Sequence, residues 1–291
     1  MKWEGGRLDA RNVENKSVKL SCLPVSYFGD IIGGKLSVGH WARQAADLGL
    51  DAVDLSVLFF KSREQAYLES MRRDVEDAGL RVAVVNTYPD LTHPDHAERD
   101  REFSQLEKDI ASIGLLGAEM ARVTAGQAHP ETSRKEGIAW AVEGLTRAVD
   151  AAERHGVKLV FENHSKPGAW EYPDFCYPPE IFLEIAERLE NTAVWILFDT
   201  ANPVAYGFDP LPVLRRVIGR VRCIHAADTR TQGTFEPVLI GTGAVPFDTI
   251  FSMLKESGYD GWISIEEASR LGPAGVARAV KFVRQTWENE R

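Results

Sequence analysis

Hydrophobic and polar positions fall into one repeating phrase along this chain. A stretch with apolar residues at three- and four-residue spacing closes on a glycine, and a short run rich in Val and Ile follows, as in "QAADLGLDAVDLS", "DVEDAGLRVAVVN", "SIGLLGAEMARVT", "AAERHGVKLVFEN" and "KESGYDGWISIEE". The spacing predicts amphipathic helices, and glycine suits the left-handed residue past a helix end. Strands that are apolar on both faces belong to buried parallel sheets. The strand candidates are "KLSCLPVS" near residue 19, "DAVDLSVLF" near 51, "RVAVVNTY" near 81, "AEMARVTA" near 118, "KLVFENH" near 158, "AVWILFDTA" near 193, "RVRCIHAAD" near 220 and "GWISIEEA" near 261. Helical patterns such as "SREQAYLESMRRDVEDAG", "SRKEGIAWAVEGLTRAVDAAERHG", "PPEIFLEIAERLE" and "FDTIFSMLKESG" separate them, and "PAGVARAVKFVRQTWENE" predicts a last helix. Eight alternations predict an α/β protein, a single-domain (β/α)8 TIM barrel over residues 17–291, a fold that typically takes about 250 residues. A doubly wound open sheet is the alternative. "MKWEGGRLDARNVENK" follows neither period and reads as a loose N-terminal arm over residues 1–16.

Composition narrows the class. A net charge of -9 argues against a nucleic-acid backbone as partner, because such binding runs on an excess of Lys and Arg. No apolar run approaches the roughly 18 residues of a membrane span, and the first residues lack the apolar middle of a signal peptide. Cys22, Cys176 and Cys223 are too few for a disulfide framework and lack zinc-ribbon spacing. They read as buried small apolar residues in a reducing, cytoplasmic setting.

A TIM barrel gathers the carboxyl ends of its strands around one cavity. There strand five ends on Glu162, strand six on Asp199, strand seven on His225 and strand eight on Glu266. Singly, each has a plainer role: Asp199 as a cap for the next turn, the glutamates as partners of rim arginines, His225 as a satisfied core histidine. Together in one cavity they carry uncompensated negative charge, which a divalent cation relieves. Carboxylates with one imidazole suit Mn²⁺ first, then Mg²⁺ or Co²⁺, and suit Zn²⁺ less because no thiolate or second histidine joins them. The longest connections, "SKPGAWEYPDFCYPP" and "TRTQGTFEPVLIGTGAVP", leave the same ends of strands five and seven. Trp170, Tyr172, Phe175 and Tyr177 either form a lid over the mouth or pin the loop to the rim. His164, Asn86, Arg122, Asp228, Arg230 and Trp170 are the expected substrate contacts. The glycine-rich "IGTGAVPF" is too short a pattern to establish phosphate binding.

In "VFENH", "ILFDTAN", "IHAADTR", the "GTGAVPF" turn and "GYDGWISIEE" the chain resembles the xylose isomerase-like TIM barrels of the sugar phosphate isomerase/epimerase superfamily, over nearly its whole length. The resemblance implies a divalent metal on Glu162, Asp199, His225 and Glu266, with Glu162 and Glu266 also moving protons, while Glu267 points the other way. It implies a small carbohydrate substrate and commonly a homo-oligomer. The ketose 3-epimerase branch carries a histidine three residues after the metal-binding aspartate; this chain has Asn202, counted here among the substrate contacts. Ser56 and Asn86 stand at strand ends two and three where the endonuclease IV-like barrels place histidines for three metals, which speaks against a trinuclear nuclease. The expected activity is isomerisation or epimerisation of a sugar or sugar-derived keto compound through an enediolate. A lyase acting on an inosose, a dehydroshikimate-like acid or a keto-glycoside is the alternative, and a metal-bearing sugar-binding barrel without turnover is a third reading.

Overall fold

The computed structural model describes residues 18–165 and 168–289; the arm read over residues 1–16 lies outside the described residues. Eight parallel strands form one sheet: β1 (Lys19–Leu23), β2 (Ala52–Ser56), β3 (Arg81–Asn86), β4 (Met120–Val123), β5 (Lys158–Glu162), β6 (Val194–Asp199), β7 (Val221–Ala226) and β8 (Trp262–Glu266). From β2 to β8 each strand pairs with the next, and β1 pairs with β8, so the sheet curls into a TIM barrel and the open-sheet alternative is excluded. At the β1–β2 seam, Asp51 replaces a ladder. Its backbone N–H donates to the carbonyl of Leu20 at 2.9 Å, and its carboxylate accepts the Leu20 N–H at 2.9 Å.

The helices follow the predicted phrase. Arg134–Arg154 starts at Ser133, whose hydroxyl accepts the Glu136 N–H, and His96–Leu116 starts at Asp95 and ends at Gly117 with φ of 75°. That left-handed turn is where glycine is needed.

Two apolar layers result. The outer layer packs helices such as 134–154 on strand residues Val53, Val85, Phe161, Phe198 and Ile224. The inner one fills the barrel with Ala52, Val84, Met120, Val160, Leu197, Cys223 and Trp262. Side chains alternate along a strand with period two, so the inward set containing Val160, Leu197 and Cys223 continues two residues later as Glu162, Asp199 and His225. The site thus stands on the floor of the inner core. At the opposite end Trp262 closes the barrel, its indole N–H donating to Glu119 at 3.0 Å. All three cysteines are free and buried. Among the described residues no helix is long and apolar enough to cross a membrane.

Candidate metal centre

Glu162, Asp199, His225 and Glu266 each offer a ligand atom, and these atoms lie within 4.8 Å of one another. Three of the four residues are buried, and Glu266 at the rim keeps 26% of its side chain exposed. Nδ1 of His225 stands 2.9 Å from Glu162 Oε1 and 3.7 Å from Glu266 Oε2. The second oxygen of Glu162 lies 2.9 Å from Nε of Arg122. Asp199 uses Oδ1 to accept the N–H groups of Ala201 and Asn202 at 2.8 and 2.6 Å. The turn-capping role and the metal-facing role are therefore shared within one side chain.

Asn163 explains how two of these ligands keep their spacing. Its amide donates to the Asp199 carbonyl at 3.0 Å and accepts the Asp199 N–H at 2.7 Å, a two-way clasp between the ends of β5 and β6. The run Glu162-Asn163-His164 thus sends Glu162 to the cluster, Asn163 sideways to the next strand, and His164 toward the loop after β5.

The charges show what the cluster lacks. Burial alone would push the Glu162 carboxyl up, but His225 and Arg122 outweigh it and hold the group at about 2. Burial would likewise push His225 down, and Glu162 followed by Glu266 instead pushes it up to about 9. Asp199 is pushed well above the carboxylate range by burial and by the negative charges of Glu266 and Glu162. A proton thus substitutes for a cation on His225. Three carboxylates around one imidazole, oxygen-rich and partly open at Glu266, match the needs of a hard divalent ion. The Nε2 atom of His225 is buried without a hydrogen-bond partner, a further sign that the cluster is incomplete as protein alone.

The family model for the xylose isomerase-like TIM barrel matches residues 42–286. The chain belongs to that family. An inosose dehydratase of Geobacillus thermodenitrificans is 27% identical over 94% of this chain and 98% of its own length. A Streptomyces coelicolor protein carrying the name hydroxypyruvate isomerase is 26% identical over 76% of this chain and 82% of its own length. Among solved structures, the IOLI protein with a bound zinc atom superposes with a TM-score of 0.75 at 18% identity, covering 93% of this chain and 98% of that one; the likeness shows a shared fold.

In this xylose isomerase-like barrel the other expected contacts divide. Asn86 is wholly buried at the end of β3, in register with Arg122 on β4, and neither its oxygen nor its nitrogen has a hydrogen-bond partner among the described residues. His164 is 12% exposed, with the Trp170 ring edge-on at 6.4 Å between centroids. Asn202 lines a recess with His164 and Tyr177 and donates to the Asn163 carbonyl at 3.2 Å.

Three further expected contacts have protein partners of their own. Arg122 turns its guanidinium to Glu162 and donates from Nη1 to the Thr87 carbonyl at 2.8 Å, so it steadies a ligand from within the barrel wall. Asp228 accepts the backbone N–H groups of Thr229, Gly241, Gly243 and Val245 at 2.8–3.2 Å. Its carboxylate organises the loop after β7, and the glycine-rich turn gives the N–H groups of Gly241, Gly243 and Val245 to it. A Cβ on Gly243 would lie 2.4 Å from Asp228 Oδ1, which is why glycine stands there. Arg230 is exposed and pairs with Glu236 at 2.6 Å on the same loop.

Sequence reasoning missed Tyr88 and Asp54. Arg122 lies 4.7 Å over the Tyr88 ring, whose hydroxyl accepts from Ser56 at 3.2 Å. Asp54 sits inside the barrel, accepting from Ser21 at 2.9 Å and from the Val84 N–H at 3.1 Å. The inward period of β2, which also carries Ser56, was the available signal for Asp54. Glu267 accepts from Ser26 at 2.6 Å and ties the loop after β8 to the loop after β1, clear of the metal cluster.

The aromatic loop after β5 is pinned and lining at once. Phe175 is buried, and Gly137 has no room for a Cβ, which would fall 2.3 Å from the Phe175 ring. Trp170 instead stands half-buried beside His164. Trp170→Ala is expected to raise KM or lower kcat with a nearly unchanged melting temperature. A large drop in melting temperature with unchanged kinetics would assign Trp170 to packing.

Proposed function

We propose that this protein is a divalent-metal-dependent isomerase or epimerase of a sugar or sugar-derived keto compound, working by proton transfer. The observation that carries this reading is a cluster of possible metal ligands, found among the described residues, that holds two glutamates from separated strands, Glu162 on β5 and Glu266 on β8. A divalent ion held by Glu162, Asp199, His225 and Glu266, with Mn²⁺ preferred over Mg²⁺ or Co²⁺, would polarise a substrate carbonyl and acidify the neighbouring C–H.

The chain's own groups do the rest. Glu162, kept ionised by Arg122 and His225, is the base in this reading, and the same two neighbours that keep it free of a proton also weaken its basicity. Glu266 reaches the cavity from another strand and keeps part of its side chain open to water. Return of a proton to the opposite face of the same carbon gives an epimer, and return to the adjacent carbon gives the aldose–ketose isomer. Asn86, with donor and acceptor both unpartnered, is placed to bind a substrate hydroxyl. His164, Trp170 and Asn202 are the further substrate contacts of this reading, supported by the recess that His164 and Asn202 share and by the Trp170 ring beside His164.

Dehydration is the second reading, supported by the match to an inosose dehydratase over 94% of the chain. It differs only in that a β-hydroxyl leaves after the proton is removed.

The test is a screen of ketohexoses, ketopentoses, inososes and keto-glycosides with Mn²⁺-loaded protein in D₂O. Deuterium is expected on a carbon next to the carbonyl, and epimer, isomer and dehydrated products are resolved by NMR. Protein that holds its ion yet catalyses neither exchange nor product formation across the screen would leave only the sugar-binding barrel.

A further inference from the structure

The loop after β5 carries a carboxylate back into the barrel mouth. Asp174 is wholly buried, and the chain around it is sewn into place. Its N–H donates to the Ser165 carbonyl at 2.6 Å, it bridges to Gln127 in antiparallel fashion, and its Oδ1 accepts the Cys176 N–H at 2.9 Å. The other oxygen, Oδ2, lies 3.3 Å from Nδ1 of His164. That contact falls outside hydrogen-bond geometry, and Oδ2 has no hydrogen-bond partner among the described residues. A buried carboxylate needs a partner, and the group this one faces is His164.

His164 follows Glu162 by two residues and lines the recess it shares with Tyr177 and Asn202. Trp170 stands against its ring. An imidazole gripped by a carboxylate at Nδ1 carries its proton there and presents a lone pair at Nε2, the atom remote from the grip.

We infer that Asp174 is a positioning residue: it fixes the orientation and tautomer of His164 so that Nε2 can accept a hydrogen bond from a substrate hydroxyl. The inference rests on the carbohydrate-enzyme reading above. No proton or bond changes hands permanently in this step; Asp174 acts only through His164.

Asp174→Asn separates this role from packing. Because the Cys176 N–H already claims an acceptor at the Oδ1 position, the carboxamide must place its oxygen there and its NH₂ toward His164. The substitution keeps the shape of Asp174 and reverses what His164 Nδ1 meets, from acceptor to donor. Nitrogen-15 histidine spectra of the Mg²⁺-loaded protein at mildly alkaline pH, with His164 assigned through His164→Gln, are expected to show the proton on Nδ1 in the wild type and on Nε2 in Asp174→Asn. With a substrate from the screen, kcat is expected to fall about 10–100-fold with KM and melting temperature little changed, and to fall no further when Asp174→Asn is added to His164→Gln. A wild-type spectrum with the proton on Nε2 overturns the inference without any variant. So does an unchanged tautomer in Asp174→Asn, or an equal loss of kcat in both backgrounds. The spectra need no substrate, so they decide the role of Asp174 even if the screen defeats the catalytic reading.

Discussion

Glu162→Gln and Glu266→Gln are each expected to slow turnover by about 10²–10⁴-fold, the usual weight of a general acid–base group, while the barrel stays folded. Glutamine keeps the shape of glutamate and removes its ability to take up a proton. The two variants should nevertheless differ. Glu162 is buried between Arg122 and His225, so neutralising it leaves a buried guanidinium facing an amide, and breaking such a pair is strongly destabilising. Glu162→Gln should therefore also lower the melting temperature and the ion content. Glu266 is partly exposed and its nearest charged contact is 3.7 Å away, so Glu266→Gln should cost mainly kcat. Turnover and carbon–deuterium exchange in D₂O, read beside melting temperature and elemental analysis, check both. Exchange at the wild-type rate in both variants would assign proton transfer to other groups, even with the ion in place.

Metal affinity is expected to rise with pH up to about pH 9. In the metal-free protein His225 is raised to about 9, so it carries a proton at neutral pH that an incoming cation must displace. Below that value each pH unit should tighten binding about tenfold for each proton released, and the gain should level off above it. Asp199, raised by burial and by its two glutamate neighbours, steepens the dependence in acid wherever it too holds a proton. The same raised value makes the metal-free His225–Glu162 pair stabilising below the unfolded histidine value of about 6.5, a contribution lost as pH climbs through 9. Metal binding and the metal-free fold therefore respond to alkali in opposite directions. Mn²⁺ titrations between about pH 6 and pH 9, in buffers that report proton release, measure the slope. Asp199→Ala and His225→Ala should lose most of the ion, and wild-type protein treated with EDTA should lose its activity and part of its thermal stability. A pH-independent affinity, or an EDTA-treated protein with unchanged melting temperature and no ion before treatment, would refute the metal centre.

The strands, their parallel order and the inward direction of Glu162, Asp199, His225 and Glu266 were legible in the sequence because they depend on local periodicity. A period of two sends every second strand residue to one face, whatever the rest of the chain does. The same logic kept Glu267 out of the cluster. The partners were not legible. "IHAADTR" offered Asp228 and Arg230 as substrate contacts beside His225, yet the neighbouring Thr229 N–H and three backbone N–H groups from a turn more than ten residues away bind the first, and Glu236 pairs with the second. Nor was the partner of Arg122 legible: the barrel brings β4 beside β5 and sets its guanidinium against Glu162.

By itself, then, the sequence determined a (β/α)8 barrel and which polar side chains enter its cavity, since both follow from residue spacing along single elements. Only the tertiary structure decided what each polar group does there. Asn163 clasps Asp199, Asp174 returns from a long loop to His164, and Asn86 is left unpartnered because barrel closure sets the distances between elements. Hydrogen bonds and ion pairs are short-range, so a shift of about 1 Å between strands changes which partner wins, and no periodicity within one strand encodes that distance.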